Sequence, residues 1–573
     1  MVKEIVFDIE ANGLHPDRVH CWAASGNQSG TTPESFQQVL NTGATLVGHN
    51  IIGYDIPVLG SVWGLEPTAN NVIDTLVLSR LANPSRQGGH GLAAWGQRLG
   101  YPKVEHEDWS TYTPEMQHRC NVDVEINERV LVAVRKELKG FSQDSIDLEM
   151  EVAHVIEKQH KTGWAFDERK AFLLAARLRD EQRAVELEVQ EQFRPLATKG
   201  TEVNPRYTKD GSLSKVGTNF LGDDWETLSG PCTKVTFPEF NLGSNDQIAR
   251  YLKRQGWEPK TLTETGKAVV DEGALKGVEI PEAQLILRYK NLSKVAKMVE
   301  GWIEACQDDG RIYGRVNPCG AVTGRMTHSN PNLAQVPARG SLGKECRELF
   351  TVEPGYTLVG TDASGLELRC LAHYMNDEGY SKAVVEGSQS EGTDVHTLNQ
   401  KAAGLPDRDT AKTFIYAFLY GAGDALIADI AGLKTAKEGK ALKERFLRAT
   451  PALASLKSRV EDAAGRGWLK GLDGRKVHVR SVYSGLNTLL QSAGAILMKR
   501  QMVILDTLVY EAGLDARQVA TVHDEVQFEV ADGDVGEFQK LAEQSMVLAG
   551  EYYNLRCPLA GEAKAGQTWK ETH

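Results

Sequence analysis

Wound as a helix, the stretch RDTAKTFIYAFLYGAG at residues 408–423 brings Arg408, Lys412, Tyr416 and Tyr420 into one file, each four positions from the next. Two cations followed by two aromatic rings suit a polyanion that carries a planar base, and we read the row as a grip on a nucleoside triphosphate. Phe414, Ile415, Phe418 and Leu419 between them already supply a buried face, so the row is spare for chemistry. Two aspartates stand where predicted strands break: Asp362 ahead of an Ala-Ser-Gly turn, and Asp524 in the His523-Asp524-Glu525 link between two strands. Aspartate is also common at turns and helix starts, so each position alone is open to a structural role. Near the N-terminus, Asp8 and Glu10 are two apart on a predicted strand and therefore share a face.

These residues need elements to position them. A chain of 573 residues exceeds one core, and about three or four lobes are expected. The first 140 or so residues alternate strand-like and helix-like segments, which predicts a compact α/β domain. Residues 144–194 read as long amphipathic helices, and 195–243 turn rich in Gly, Pro, Thr, Asn and Lys, as an insertion or loop region would. Farther on, GYTLVGTDASGLELRCLAHY reads as strand, turn and helix, and Val526, Phe528 and Val530 alternate with polar residues as in a half-buried strand.

Composition sets wide bounds. Hydrophobic residues make up 41% and charged residues 25%, the values of an ordinary soluble globular protein. No apolar run approaches ~18 residues, so no membrane span is expected. The N-terminus shows no basic or apolar leader, and the eight cysteines show no CxxC spacing; reduced thiols in a cytoplasm are expected. A net charge of −12 weighs weakly against nucleic acid, but phosphates respond to the groove they occupy rather than to the total.

DASGLELR, RDTAKTFIYAFLYGAG and VHDE, in this order, resemble the three polymerase motifs of family A (Pol I-like) DNA polymerases, with the nearest likeness to replicative enzymes of T-seven-like short-tailed bacteriophages. VNPCGAVTGRMTHSNPNLAQVP, KGLDGRKVHVRS and NTLLQSAGAILMK agree, and the likeness covers nearly the whole chain. The resemblance implies an α/β multidomain fold: an RNase H-like DEDD 3′→5′ exonuclease domain at 1–140, then a right hand. Its thumb would be 141–300 with an insertion at about 198–243, its palm 301–370 and 470–573, and its fingers 371–469.

The resemblance also implies roles. Asp362 and Asp524, with the Ala363 carbonyl, would hold two Mg²⁺ (Mn²⁺ as a substitute) that activate the primer 3′-OH and take up charge on pyrophosphate. Arg408 and Lys412 would grip the dNTP phosphates, with Lys412 also protonating the leaving group; Tyr416 would lie by the sugar and Tyr420 by the templating base. Glu367 would crowd the ribose 2′ position and reject ribonucleotides. Arg325, His396, Gln491 and His523 match positions that touch primer, phosphate or minor groove, and Arg288, Lys290, Lys294 and Lys297 match a thumb helix that crosses the duplex backbone.

Asp8, Glu10, Asp55 and Asp123 resemble the metal ligands of DEDD nucleases, again two metals, with water as the nucleophile and Asp74 in support. Here the pattern departs from the family. Four residues before Asp123, where a tyrosine is usual, stands Arg119; one earlier stands His118, at the spacing of the histidine-containing branch. His118 is the expected general base. The alternative is that Arg119 pairs with Asp123 one turn on, His118 is a surface residue, and proofreading is weak or silenced.

Primer-template DNA and dNTPs are the implied partners, together with a phage helicase-primase and a single-stranded DNA-binding protein, in the cytoplasm of an infected bacterium. Residues 198–243 match the insertion that binds host thioredoxin or another processivity factor, but the stretch is short and lacks a strongly basic run. A single-subunit RNA polymerase is one rival reading, against which Glu367 and the nuclease domain weigh; a DNA-binding protein with a dead polymerase fold and a repair polymerase are the others.

Overall fold

In the computed structural model, which describes residues 3–67, 71–204, 206–215, 218–219, 230–259 and 261–573, the first apolar alternation forms β1 (Glu4–Ala11). Its period of two sends Ile5, Phe7 and Ile9 into one buried layer with Phe36 and Leu46, and turns Val6, Asp8 and Glu10 to the other face. With β2 (Val19–Ala24), β3 (Gln28–Gly30), β4 (Thr45–Gly48) and β5 (Val72–Asp74), it forms a five-stranded sheet of order β3-β2-β1-β4-β5. β2 is antiparallel to β1, and β4 is parallel to it. α1 (Asp55–Trp63) and α2 (Thr75–Ala82) follow β4 and β5. α3 (Pro114–Glu137) starts at Thr113, whose hydroxyl caps the Met116 N–H, and lays Cys120, Val130 and Val134 over the Val6 face of β1.

The chain divides into two compact units, Met1–Phe166 with Ala305–His573, and Asp167–Glu304. α4 (Gln143–Thr162) belongs to the first. The expected thumb, 141–300, starts ahead of the second unit, and Leu148, Val152 and Ile156 on α4 pack with Val359, Phe528 and Val530 of the second sheet described below. The apolar stripe of a helix does not announce which partner it covers. The second unit contains α5 (Glu168–Gln192) and α6 (Pro281–Ala305), joined by Arg179 and Glu300 at 2.5 Å. In it Thr198–Val203 pairs with Cys232–Thr236 as an antiparallel hairpin; of the stretch 198–243, residues 205, 216–217 and 220–229 lie outside the described residues. On α6, Lys294 and Lys297 are exposed, while Lys290 bonds Asn245.

The second sheet has the order β7-β8-β6-β9, antiparallel throughout, from β6 (Tyr356–Ala363), β7 (Ala516–Val522), β8 (Glu525–Ala531) and β9 (Gly561–Gly566). β8 is not half-buried as expected. Its polar face is also covered, and each of its polar side chains has a partner: Glu525 with Trp569, Gln527 with Thr572, and Glu529 with Arg311. Burial of polar atoms is tolerable only with such pairing. α11 (Val535–Tyr552) packs on this sheet, and α7 (Leu366–Met375), α8 (Val395–Ala403), α9 (Arg408–Leu419) and α10 (Gly485–Ala512) share a neighbouring core. Glu149 on α4 accepts bonds from Arg475 and from Lys499 on α10, each at 2.5 Å, in a fully buried ionic knot.

Candidate functional site

Two clusters of carboxylates emerge from these elements. In the first, Asp362 on β6 lies opposite Glu525 of β8 and Glu562 of β9, and the Ala363 N–H donates to the Asp524 carbonyl at 3.0 Å. The β7–β8 hairpin turns through two residues, His523 and Asp524, with His523 in the left-handed region at φ 57°. That conformation costs on the order of 1 kcal/mol or more, and it sets Asp524 at the tip beside Asp362. Both carboxylates are exposed, and neither has an ion pair among the described residues. Partial desolvation and then the neighbouring charges of Asp524 and Glu525 lift the Asp362 carboxyl to about 6. Two acids crowded together, neither held in an ion pair among the described residues, form a donor set that fits divalent metal.

The row on α9 flanks this pair. Asp407 caps the helix, and Phe414 and Phe418 pack against Phe446 on its buried side. Arg408 Nε donates to Asp394 at 3.1 Å; Asp394 in turn caps α8 and takes the Thr397 hydroxyl at 2.6 Å, so the guanidinium is held in place. Lys412 is exposed, with no ion pair among the described residues. The His396 ring faces Tyr416 at 6.3 Å between centroids, and burial, then the charges of Arg408 and Lys412, lower its basicity.

Glu367, in the first turn of α7, receives the Tyr420 hydroxyl at 2.8 Å and Arg325 Nη2 at 3.3 Å. Arg325, Glu367, Lys499, His523 and Asp524 line a cavity of about 40 Å³. Gln491 is half-buried on α10, one turn before Gly494 of the same lining. The structure therefore brings most of the expected residues together. The Tyr420–Glu367 bond is not legible in the sequence, because the two lie 53 residues apart.

In the second cluster Glu10, Asp55 and Asp123 are buried and Asp8 is half-buried. Asp8 and Glu10 project from β1 toward α3; Asp55 opens α1 and accepts the Ile9 N–H at 3.2 Å; Asp123 faces them from α3. Burial, then the charges of Asp123, Asp55 and Glu10, lifts the Asp8 carboxyl well above the usual range. Burial also outweighs Arg119 to bring Glu10 to about 6, and outweighs the Ile9 N–H to bring Asp55 to about 7. Asp123 Oδ1 is buried without a partner, and ligand atoms of Asp8, Glu10 and Cys120 lie within 4.8 Å of one another. An orphaned carboxylate oxygen among acids fits a cation in this cluster as well.

His118 lies exposed, about 140° round the helix from Asp123. Arg119 is the residue that turns inward: it bonds Glu10 and lies 3.8 Å from Asp123 Oδ2. The expectation of His118 as base thus meets a helix phase that carries it away from the acids. Lys103, unnoticed in the sequence, reaches Asp123 at 2.5 Å from a loop. Cys120 was also missed, although its place three residues before Asp123 sets it on the same face; its Sγ lies 3.8 Å from Asp8 Oδ2. Asp74 takes the N–H groups of Asn50, Ile52 and Leu76, and so fixes the turn ahead of Asp55.

Comparison with known proteins adds three findings. The model of the family described as DNA polymerase family A matches residues 215–571. The chain is 34% identical to the DNA-directed DNA polymerases of Enterobacteria phage T3 and Escherichia phage T7, with 99% of this chain and all of each relative covered. The aligned lengths, 713 and 712 positions, exceed the 573 residues of this chain, so both relatives carry residues that it lacks. A solved structure described as the POL domain of Pol1 from M. smegmatis in complex with DNA primer-template and dNTP superposes with a TM-score of 0.78 at 21% identity, over 99% of this chain and 95% of that one.

Proposed function

The chain belongs to DNA polymerase family A as a phage-type, template-directed enzyme, and from that premise we propose that it extends a primer 3′-OH at Asp362 and Asp524 and excises nucleotides from the same end at its N-terminal carboxylates. The observation that carries the synthetic part is the juxtaposition of Asp362 with Asp524 by the β6–β8 register, directly beside the cavity rimmed by Glu367 and Arg325. Divalent metal, Mg²⁺ or Mn²⁺, when bound by Asp362, Asp524 and the Ala363 carbonyl, or by Asp8, Glu10, Asp55 and Asp123, supplies activation of the attacking oxygen and neutralisation of the leaving one.

The chain's own residues do the rest. Arg408, steadied by Asp394, offers its fork to phosphate oxygens, and Lys412 offers a point charge and a proton for pyrophosphate. The Glu367 carboxylate, pinned by Tyr420 and Arg325, stands where a 2′-hydroxyl would need room and a partner, which favours dNTPs over rNTPs. Closure of α9 on a correct base pair would couple pairing to completion of the site. Phosphate contacts make binding to primer-template DNA fall steeply with salt.

A 5′-labelled primer on a longer template, incubated with Mg²⁺ with and without dNTPs, tests both activities. Extension with dNTPs and shortening without them is expected. No extension would overturn the synthetic assignment. Extension without shortening would favour the second reading, a polymerase whose nuclease is silenced, which the inward turn of Arg119 recommends.

A further inference from the structure

Lys103 and Arg119 occupy a place in the N-terminal centre that a surface cation would not take. Arg119 is held on three sides: Nη1 bonds Glu10, Nε donates to the Val104 carbonyl at 3.2 Å, and the guanidinium carbon lies 4.6 Å over the Trp109 ring. Its side chain is 11% exposed. Lys103 comes from the same loop segment and meets Asp123 Oδ2 at 2.5 Å, although Asp123 is only 1% exposed. The loop is itself anchored, since the His20 ring bonds the Trp109 carbonyl at 3.0 Å.

Charge explains why this matters. Asp8, Glu10, Asp55 and Asp123 bring at most four negative charges to a buried site, and Lys103 with Arg119 offsets two of them. A metal that takes the Glu10 and Asp123 oxygens must compete with the arginine and the lysine already bonded to them, against the cost of breaking a buried pair. At Asp362 and Asp524 no ion pair stands in the way among the described residues.

Resting on the nuclease reading above, we infer that Lys103 and Arg119 are the resting counter-ions of this centre and compete with divalent metal for Asp123 and Glu10, so that excision demands more metal than synthesis does. They set the metal demand of the reaction; they are not its acid or base. At low Mg²⁺ the enzyme therefore synthesises with little excision, and excision rises as the ion is raised.

The test is Mn²⁺ binding by electron paramagnetic resonance to the full chain carrying Asp524→Ala, which leaves the N-terminal centre as the one under study. Lys103→Ala and Arg119→Gln should each tighten Mn²⁺ binding severalfold, and the two together at least tenfold. Lys103→Arg, which keeps the charge, should bind as the parent does. If Arg119→Gln compromises folding, Lys103→Ala, on a loop, still decides the matter. Unchanged or weaker Mn²⁺ binding in Lys103→Ala would overturn the inference. An Asp8→Ala control separates the two failures. If it removes Mn²⁺ binding while Lys103→Ala changes nothing, only the counter-ion role falls. If it leaves the Mn²⁺ count unchanged, the centre holds no metal, and the nuclease reading falls together with this inference.

Discussion

Asp362 and Asp524 stand exposed at the rim of an antiparallel sheet, whereas Asp8, Glu10, Asp55 and Asp123 are folded beneath α3 with a lysine and an arginine among them. Both groups are carboxylates poised for cations, but they reach that state by different routes. At the rim, two acids are crowded and only partly desolvated, with no ion pair among the described residues, so their charge is open to whatever arrives. Beneath α3, desolvation raises the carboxyls and the protein supplies its own cations, so an incoming ion must compete. Exposure gives readiness, and burial gives a threshold.

The contrast breaks most visibly when one centre is removed. Asp524→Ala should depress primer extension by on the order of 10³-fold or more, as expected when a metal ligand is lost. Shortening of a labelled primer should persist. Equal extension by the variant in a single-turnover assay would show that the hairpin tip is not the synthetic centre. A smaller effect is expected from Glu367→Ala, which removes the partner of Tyr420 and Arg325. The preference for dNTP over rNTP should fall by roughly 10²-fold, with the change in kcat/KM for rNTP. If the preference held, Glu367 would be an anchor for Tyr420 and nothing more.

Legibility followed the same division. The residues gathered around Asp362 were legible because they come in long local runs: Asp362 through Glu367 on one strand-turn-helix, and Arg408 to Tyr420 at a spacing of four. The period of two in β1 likewise put Asp8 and Glu10 on one face. What escaped was tertiary. Lys103 sits in a loop with no periodicity and meets Asp123 only through folding, and the Glu149–Lys499 bond spans 350 residues. Helix phase, not spacing to the last aspartate, decided that Arg119 rather than His118 turns inward. β8 read as half-buried because its polar partners, Arg311, Trp569 and Thr572, lie far off in sequence.

Stability against pH sharpens the contrast further. Because burial raises Glu10 to about 6 and Asp55 to about 7, the folded form keeps protons that the unfolded chain sheds near the usual carboxylate range. Their contribution is complete below that range and is lost as pH climbs through those values. In EDTA, the melting temperature should therefore lose a few degrees from this centre between about pH 4 and pH 7. Added Mg²⁺ should restore it, by binding the folded carboxylates. Asp55→Asn should flatten the dependence in calorimetry. An unaltered slope would mean that these acids are not desolvated as the fold implies.

The smallest effect is expected where an ion pair has solvent access. Arg408 donates to Asp394 with its own side chain 27% exposed, so water can replace part of what the aspartate provides. Asp394→Asn keeps a cap for α8 and an acceptor for the guanidinium while removing the charge. The KM for dNTP should then rise about threefold to fivefold, the kinetic equivalent of roughly 1 kcal/mol, with kcat little changed. Such a split would mean that Asp394 orients Arg408 for the ground-state triphosphate. A matching fall in kcat would place the Arg408 contact in the transition state instead, and the rim would then depend on internal pairing as the buried centre does.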